Sequence, residues 1–446
     1  MGVRVIMGGS GGTGARKTKL RDCFLVAISI VITLIVIEIV LRFWFYGGIV
    51  RPPAQESLVV PHATRGWVLG PGLRSHEYAW DYSVSTTINS KGLRDVEHEE
   101  KPAPDTLRVA LLGDSFMQAP DIDLERSFPR LLEHRLIGQK AEVINFGVIA
   151  YSTAQELLTL KEEALKYKPK VVLLAFYCGN DIRENSERLE DLIFGPVIRT
   201  FGRPYARPNE SGLYGLEFVM PDQEKVRAYQ AQKQDKEKVS LRKLAYSSVV
   251  FERIYSAARS RTVEAGAPEY DPNVFPGWPV LEHFDASAAR KSLTESEYER
   301  LWRDAWLVTK RLILAIRDMA RTNGAQFVLF TVPMKMQVDD ALRRKVERLH
   351  PNLKFDMDKI NRELDRFCHD EHLRCLDLLP PFRKAYVEGR RPLYHTFDDH
   401  WNTQGHELAA TLVADYLEKE LFGTADSSAG KGASPGGSRQ RTGDER

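Results

Sequence analysis

"LRVALLGDSF", residues 107–116, runs a mostly apolar stretch straight into a glycine, an aspartate and a serine. The stretch is continuous rather than alternating, which predicts a strand buried on both faces, the kind a parallel sheet uses. Ligands of an open parallel sheet sit beyond the C-terminal ends of its strands. Gly113, Asp114, Ser115 and Phe116 therefore stand where chemistry would be expected, although a Gly-Asp-Ser tripeptide alone is common in ordinary turns.

The same pattern recurs along the chain. Strands are predicted at 141–146, 170–177, 326–332 and 373–378, and helices at 127–139, 152–167, 294–322, 356–370 and 403–421. Strands alternating with helices predict an α/β fold of three layers, α/β/α, around a mainly parallel five-stranded sheet. The alternation is lost in an insertion at 182–293, where a helix is expected over 222–260; a lid, a binding loop and a decorative surface excursion all remain open for it. Residues 47–105 read as a β-rich lead-in ending at the linker "EEKPAPDT". Residues 106–422 form the α/β domain, and the Gly/Ser-rich tail 423–446 is expected to be disordered.

Upstream, "FLVAISIVITLIVIEIVL" (24–41) is apolar except for Glu38 and the small polar Ser29 and Thr33. With its flanks it is long enough to cross a bilayer. Arg16, Lys17, Lys19 and Arg21 precede it, and Trp44 and Tyr46 follow. The expectation is a transmembrane anchor over 23–46, a cytoplasmic tail over 1–22, and a domain exported across the cytoplasmic (inner) membrane into the periplasmic, extracytoplasmic space. A cleaved signal peptide would need a shorter apolar core and a small-residue cleavage site. The glycines of "VRVIMGGSGGTGA" (3–15) imitate a dinucleotide loop but lack the βαβ unit such a loop requires. A formal net charge of +2 gives no reason to expect nucleic acid as a partner. Four cysteines are too few for a disulfide scaffold and have no zinc-binding spacing, so neither a metal nor a cofactor is required. Cys368 and Cys375 suit either a disulfide or two buried thiols, and Cys178 reads as a small packing residue.

Each strand end delivers a polar block. After the first comes "GDSF"; after the second, "NFGVIAYS" (145–152); after the third, "CGND" (178–181); after the last, "YHTFDDHWNTQGHEL" (394–408). In this order the blocks resemble those of the SGNH (GDSL) hydrolases, a family named for a Ser, a Gly, an Asn and a His in separate blocks. The resemblance covers roughly 105–420 without the insertion. It implies a flavodoxin-like sheet, Ser115 as nucleophile, and an oxyanion hole built from the Asn180 amide and from backbone N–H groups at Ser115 and in the second block. There the family's usual glycine is Ala150. Its N–H is the expected donor, with that of Gly147 as the runner-up. The last block departs from D-x-x-H: position 397 is Phe and the spacing is Asp398-x-His400, followed by Trp401. That variant is similar to a membrane-anchored bacterial branch and to alginate-type O-acetylation proteins.

The residue types suit acyl chemistry on their own terms. A serine hydroxyl needs an adjacent base, here His400. The imidazole needs a carboxylate to fix its tautomer, and Asp398, two residues back, can curl under the ring. Asp399 then reads as a solvated or helix-capping charge, and His406 and His395 as flanking residues. "DEH" at 370–372 has the same spacing but precedes the last strand, at the wrong end of the sheet. The expected activity is that of a serine-dependent acyl-ester hydrolase acting on an acyl ester or acylated glycan. The alternatives are an O-acyltransferase on an envelope or exported polysaccharide, working with a membrane-bound acyltransferase partner, and an inactive glycan-binding scaffold.

Overall fold

The structure, a computed structural model, describes residues 12–46, 58–78, 81–194, 202–220, 224, 295–349, 351, 354–389, 392–396 and 398–422. Five strands form one sheet: β1 (Leu107–Leu112), β2 (Ala141–Asn145), β3 (Val171–Tyr177), β4 (Gln326–Val332) and β5 (Arg374–Leu376), in the order β5-β4-β3-β1-β2. Every neighbouring pair is parallel. Leu111, for example, lies opposite Asn145 on one side and Leu173 on the other. The chain leaves β1 for one edge at β2, then crosses to β3 and continues to the other edge. The switch point therefore falls between β1 and β3, and the crevice beyond their C-terminal ends is the expected ligand position.

Alternate strand residues face opposite ways. Ala110, Leu112, Val172, Leu174 and Phe176 pack with Leu157, Leu312, Ile316 and Leu364, from helices Thr153–Glu162, Glu295–Thr322 and Lys359–Asp370. Val109, Leu111, Leu173, Val328 and Phe330 face the other way, against Phe128, Leu132, Phe382, Ala410 and Val413. Those residues come from helices Phe128–Arg135, Leu379–Gly389 and Thr403–Leu417. Both faces are covered, which is why the strands are uninterrupted apolar runs. Each fully buried Leu or Phe contributes ~2 kcal/mol.

The lead-in supplies two antiparallel hairpins, Val59–His62 with Gly66–Leu69 and Arg74–Tyr78 with Ser83–Thr87. A small apolar cluster seats it: Leu58, Trp67, Leu69 and Ile88 pack on Val148 and Tyr151 of the second block. Inside the insertion, Tyr205–Leu213 pairs with Leu216–Val219, a hairpin the sequence reading did not anticipate. The helices Lys335–Val338, Asp340–Leu349 and Leu379–Gly389 were likewise not foreseen. The expected helix over 222–260 and the tail 423–446 lie outside the described residues, Glu224 excepted.

The first helix, Gly12–Tyr46, begins within the glycine-rich stretch. Its segment Phe24–Leu41 has a mean hydropathy of 3.0 and is not buried by the rest of the protein. Among the described residues it is the one helix long and apolar enough to cross a membrane. Cys368 and Cys375, left open by the sequence, are joined as a disulfide across the helix-to-strand corner, with their Cα atoms 6.2 Å apart. Cys178 is buried, and burial pushes its thiol well above the ordinary range.

Candidate active site

β1 ends at Leu112, and Ser115 opens the short helix Ser115–Gln118. Asp114 caps this helix: its Oδ1 accepts the Phe116 N–H at 2.9 Å. Burial raises the Asp114 carboxyl to about 7, although that hydrogen bond opposes the shift. Burial raises Glu156 and Asp181 as well, with Asp114 and Glu184 adding to both and Glu156 adding to Asp181, so Asp114, Glu156, Asp181 and Glu184 form a cluster of buried carboxyl groups.

The segment bearing the last block returns to this point. The Ser115 hydroxyl lies 2.7 Å from His400 Nε2. On the other side of the ring, Nδ1 is hydrogen-bonded to Asp398 Oδ1. The same carboxylate oxygen accepts the His400 backbone N–H at 2.9 Å, which is the curl that the two-residue spacing allows. Burial disfavours a charged His400, but Asp398 more than offsets it and the imidazole is raised to about 9. Burial also opposes ionisation of Asp398, yet its bond to His400 holds it well below the usual carboxylate range.

Aromatic packing fixes the ring plane. Phe116 lies 4.8 Å from the His400 ring, 4.6 Å from Tyr177 and 5.2 Å from Trp401, centroid to centroid. Trp401 is fully buried between Phe128 and Phe382. Of the two readings of Asp399, a solvated or a helix-capping charge, the cap falls to Asn402 instead, whose side chain accepts the N–H groups of Gln404 and Gly405 at 3.0 and 3.2 Å. His406 is buried; its Nδ1 accepts the Phe128 N–H at 3.2 Å, and burial lowers its pKa to about 3.

The second block is a turn in which nearly every donor is engaged. The Gly147 N–H goes to Asn145 Oδ1 at 3.0 Å, that of Val148 to Gly113 O at 3.2 Å, that of Ile149 to Gln118 Oε1 at 2.6 Å and that of Tyr151 to Val148 O at 3.1 Å. Between Gly147 and Tyr151, only the Ala150 N–H has no hydrogen-bond partner among the described residues. Ala150 sits at φ +55°, the left-handed region where a glycine is usual. Gly147, the runner-up donor, has a different duty. A Cβ there would come within 2.5 Å of Met117 Cβ and 2.8 Å of the Gln118 N, so its bareness lets the turn press against the helix that Ser115 opens. Asn180, at the end of β3, makes no hydrogen bond through its side chain among the described residues, and its Oδ1 is buried.

Sequence reasoning missed the supports. Arg94, in the lead-in, is almost wholly buried. It donates to the Gln118 carbonyl at 2.9 Å and to that of Ile122, gripping the loop after Ser115. Burial lowers its pKa to about 10. Asp95 Oδ2 accepts the Asn145 N–H, and Asn145 Nδ2 donates to the Met117 carbonyl, both at 2.8 Å. His395, from the last block, pairs with Asp121 at 3.0 Å and with Asp81 of the lead-in at 3.4 Å. Lys335 holds the Asp398 segment by its carbonyls. Little marks these residues in sequence, because each partner is distant along the chain.

The DEH at 370–372 lies at the N-terminal side of β5, away from this site, and its Asp370 and the neighbouring His369 are solvent-exposed. Among the described residues no group of His, Cys, Asp or Glu could hold a metal ion.

Residues 299–444 match the family model described as the SGNH hydrolase-like domain of the acetyltransferase AlgX. No curated protein matches the chain. Among solved structures, an acetyl xylan esterase is 12% identical, with 71% of this chain and all of that chain covered and a TM-score of 0.34. A GDSL-like lipase from Bacteroides thetaiotaomicron is 10% identical over 72% and 92%, with a TM-score of 0.31. A lipase/acylhydrolase from Enterococcus faecalis is 12% identical over 70% and 96%, with a TM-score of 0.32. Scores this low add no argument of their own. With its blocks at successive ends of a parallel sheet and this match over residues 299–444, the chain has an SGNH hydrolase-like fold and resembles the AlgX acetyltransferases.

Proposed function

We propose that the protein is a serine-dependent acyl-ester hydrolase of the SGNH type, with Ser115 as nucleophile, His400 as general base and acid, and Asp398 as the carboxylate that orients the ring. The observation that carries this reading is the 2.7 Å contact between the Ser115 hydroxyl and His400 Nε2, with Asp398 on Nδ1. As the Ser115 oxygen bonds to the ester carbonyl carbon, its proton passes to Nε2, and the Asp398 carboxylate stabilises the imidazolium that forms. The carbonyl oxygen becomes an oxyanion, received by the N–H groups of Ser115 and Ala150 and by the Asn180 amide. Removing one such donor costs on the order of 10²–10³ in rate. When the carbonyl re-forms, the alcohol leaves with the proton from His400, and acyl-Ser115 remains. Water then gives a proton to His400 as its oxygen bonds to the acyl carbon; when the adduct collapses the acyl–Ser115 bond breaks, His400 returns the proton to the Ser115 oxygen, and the acyl group leaves as the carboxylic acid.

A second reading is an O-acyltransferase, in which a sugar hydroxyl replaces water in the last step. The match of residues 299–444 to an acetyltransferase family supports it. On either reading the substrate is an acylated glycan or a related ester outside the cytoplasm. The helix Gly12–Tyr46 is the anchor, its N-terminus in the cytoplasm, and a membrane-bound acyltransferase is a fitting partner for the transfer reaction.

A fluorophosphonate probe tests the common core. Wild type should label at Ser115, while Ser115→Ala and His400→Ala should not; an unlabelled wild type would remove the enzymatic reading. Given a labelled enzyme and an acetyl donor, free acetate against acetylated oligosaccharide then separates hydrolysis from transfer.

A further inference from the structure

Lys335 opens the short helix Lys335–Val338, three residues beyond the end of β4. Its ammonium donates to three backbone carbonyls: that of His395 at 2.7 Å, Thr396 at 3.0 Å and Asp398 at 3.2 Å. An ammonium has three N–H donors, so its whole capacity is spent on one loop. That loop has little regular structure of its own. A single bridge joins Tyr394 to Trp401, and the His395 N–H reaches the His400 carbonyl at 3.0 Å. Carbonyls turned toward a common point repel one another unless a cation sits among them. The side chain is only half-buried, yet its charged end is committed to the protein rather than to water.

The third of these carbonyls belongs to Asp398, so the bond fixes the backbone of the very residue whose carboxylate holds His400. A rigid strand end thereby sets the position of an otherwise irregular turn. We propose that Lys335 is a positioning residue for the reaction, holding the Asp398–His400 turn so that the carboxylate lies under the imidazole and the imidazole faces Ser115. This rests on the reading of Ser115, His400 and Asp398 as the reacting groups. Lys335 acts through them and is not itself placed on the substrate.

The test uses the full chain in detergent micelles. The rate of fluorophosphonate labelling at Ser115 is measured from pH 5 to 10, with Tm recorded for each variant. Lys335→Met keeps the stem and loses the donors. It should slow labelling at least tenfold at temperatures well below its Tm, and should move the pH midpoint of labelling downward, because a displaced Asp398 no longer holds the proton on His400. The other charges acting on that ring, Asp121 and Asp114, are unchanged by the substitution. Lys335→Arg, which keeps charged donors, should recover part of the rate. Arg383→Met is the control for general destabilisation: it removes bonds to the Gln337 carbonyl and to Asp358 but none to the loop, and should leave the midpoint in place. If Lys335→Met does not fold, Lys335→Leu, which also lacks the donors, carries the same comparison. A wild-type rate and midpoint in the neutral variant would overturn the positioning role while leaving the triad reading intact. An unlabelled wild type would bring down the triad reading, and this inference with it.

Discussion

One oxygen of the Asp398 carboxylate takes both the backbone N–H of His400, at 2.9 Å, and the N–H of its ring. The imidazole is thereby held protonated up to about pH 9 in the resting protein. The base form that can accept the Ser115 proton therefore grows as pH rises through that value. Labelling of Ser115 should climb between pH 7 and 9 and level off above. In Asp398→Asn the midpoint should fall to near 7 or below, and the plateau should drop by ~10³–10⁴, since the ring loses the partner that fixes its tautomer. Rate against pH for the two proteins checks both effects.

The second block offers a pair of opposite substitutions. Gly147→Ala drives a methyl into Met117 and the Gln118 backbone, displacing the helix that carries Ser115. A stability loss of about 1–3 kcal/mol is expected, together with a fall in labelling rate. Ala150→Gly instead relieves a left-handed backbone at φ +55°. After the entropy that glycine adds to the unfolded chain, a net gain of up to ~1 kcal/mol remains. Tm measurements should move in opposite directions for the two variants.

Two further histidines set the pH range of stability. His395, between Asp121 and Asp81, is raised to about 9. Its contribution is complete below the unfolded value near 6.5 and is lost as pH rises through 9. His406 is depressed to about 3, so the unfolded chain takes up a proton between pH 6.5 and 3 that the folded one refuses, and stability falls as the solution is acidified. Tm should therefore decline on both sides of neutrality. His406→Asn should flatten the acid limb, and His395→Gln the alkaline limb.

The Cys368–Cys375 bridge closes a short loop between the helix Lys359–Asp370 and the edge strand β5. Opening it by Cys368→Ser should cost ~2–3 kcal/mol by the loop-entropy relation. Reductant should lower the Tm of wild type and leave the variant unchanged.

The sheet was legible because parallel strands buried on both faces leave unbroken apolar runs, and 107–112, 171–177 and 326–332 are such runs. The candidate side chains could be nominated because each follows a strand, and the fold brings Ser115, His400 and Asp398 within hydrogen-bonding distance. The scaffold behind them was not legible. Arg94 looks like any loop arginine, and Lys335 like any surface lysine, until the fold supplies the carbonyls they bind. The helices over 335–349 were missed because their turns carry few apolar residues, and the hairpin at 205–219 because its strands lack an alternating pattern. Asp399 and Asn402 both stand just before the last helix, so the sequence leaves the cap open between a solvated and a capping Asp399; geometry alone gives it to Asn402.

Arg94 precedes the sheet in the chain, yet its guanidinium sits beneath the loop that follows Ser115. Trp67 likewise donates its indole N–H to the Ile149 carbonyl at 3.1 Å, one residue from Ala150. A fragment cut just before Leu107 would keep every strand and every nominated reactive side chain, and still lose the girders under two of its working loops. The shortest piece fit for solution work therefore opens near Leu58, in a stretch that a boundary drawn by fold alone would discard.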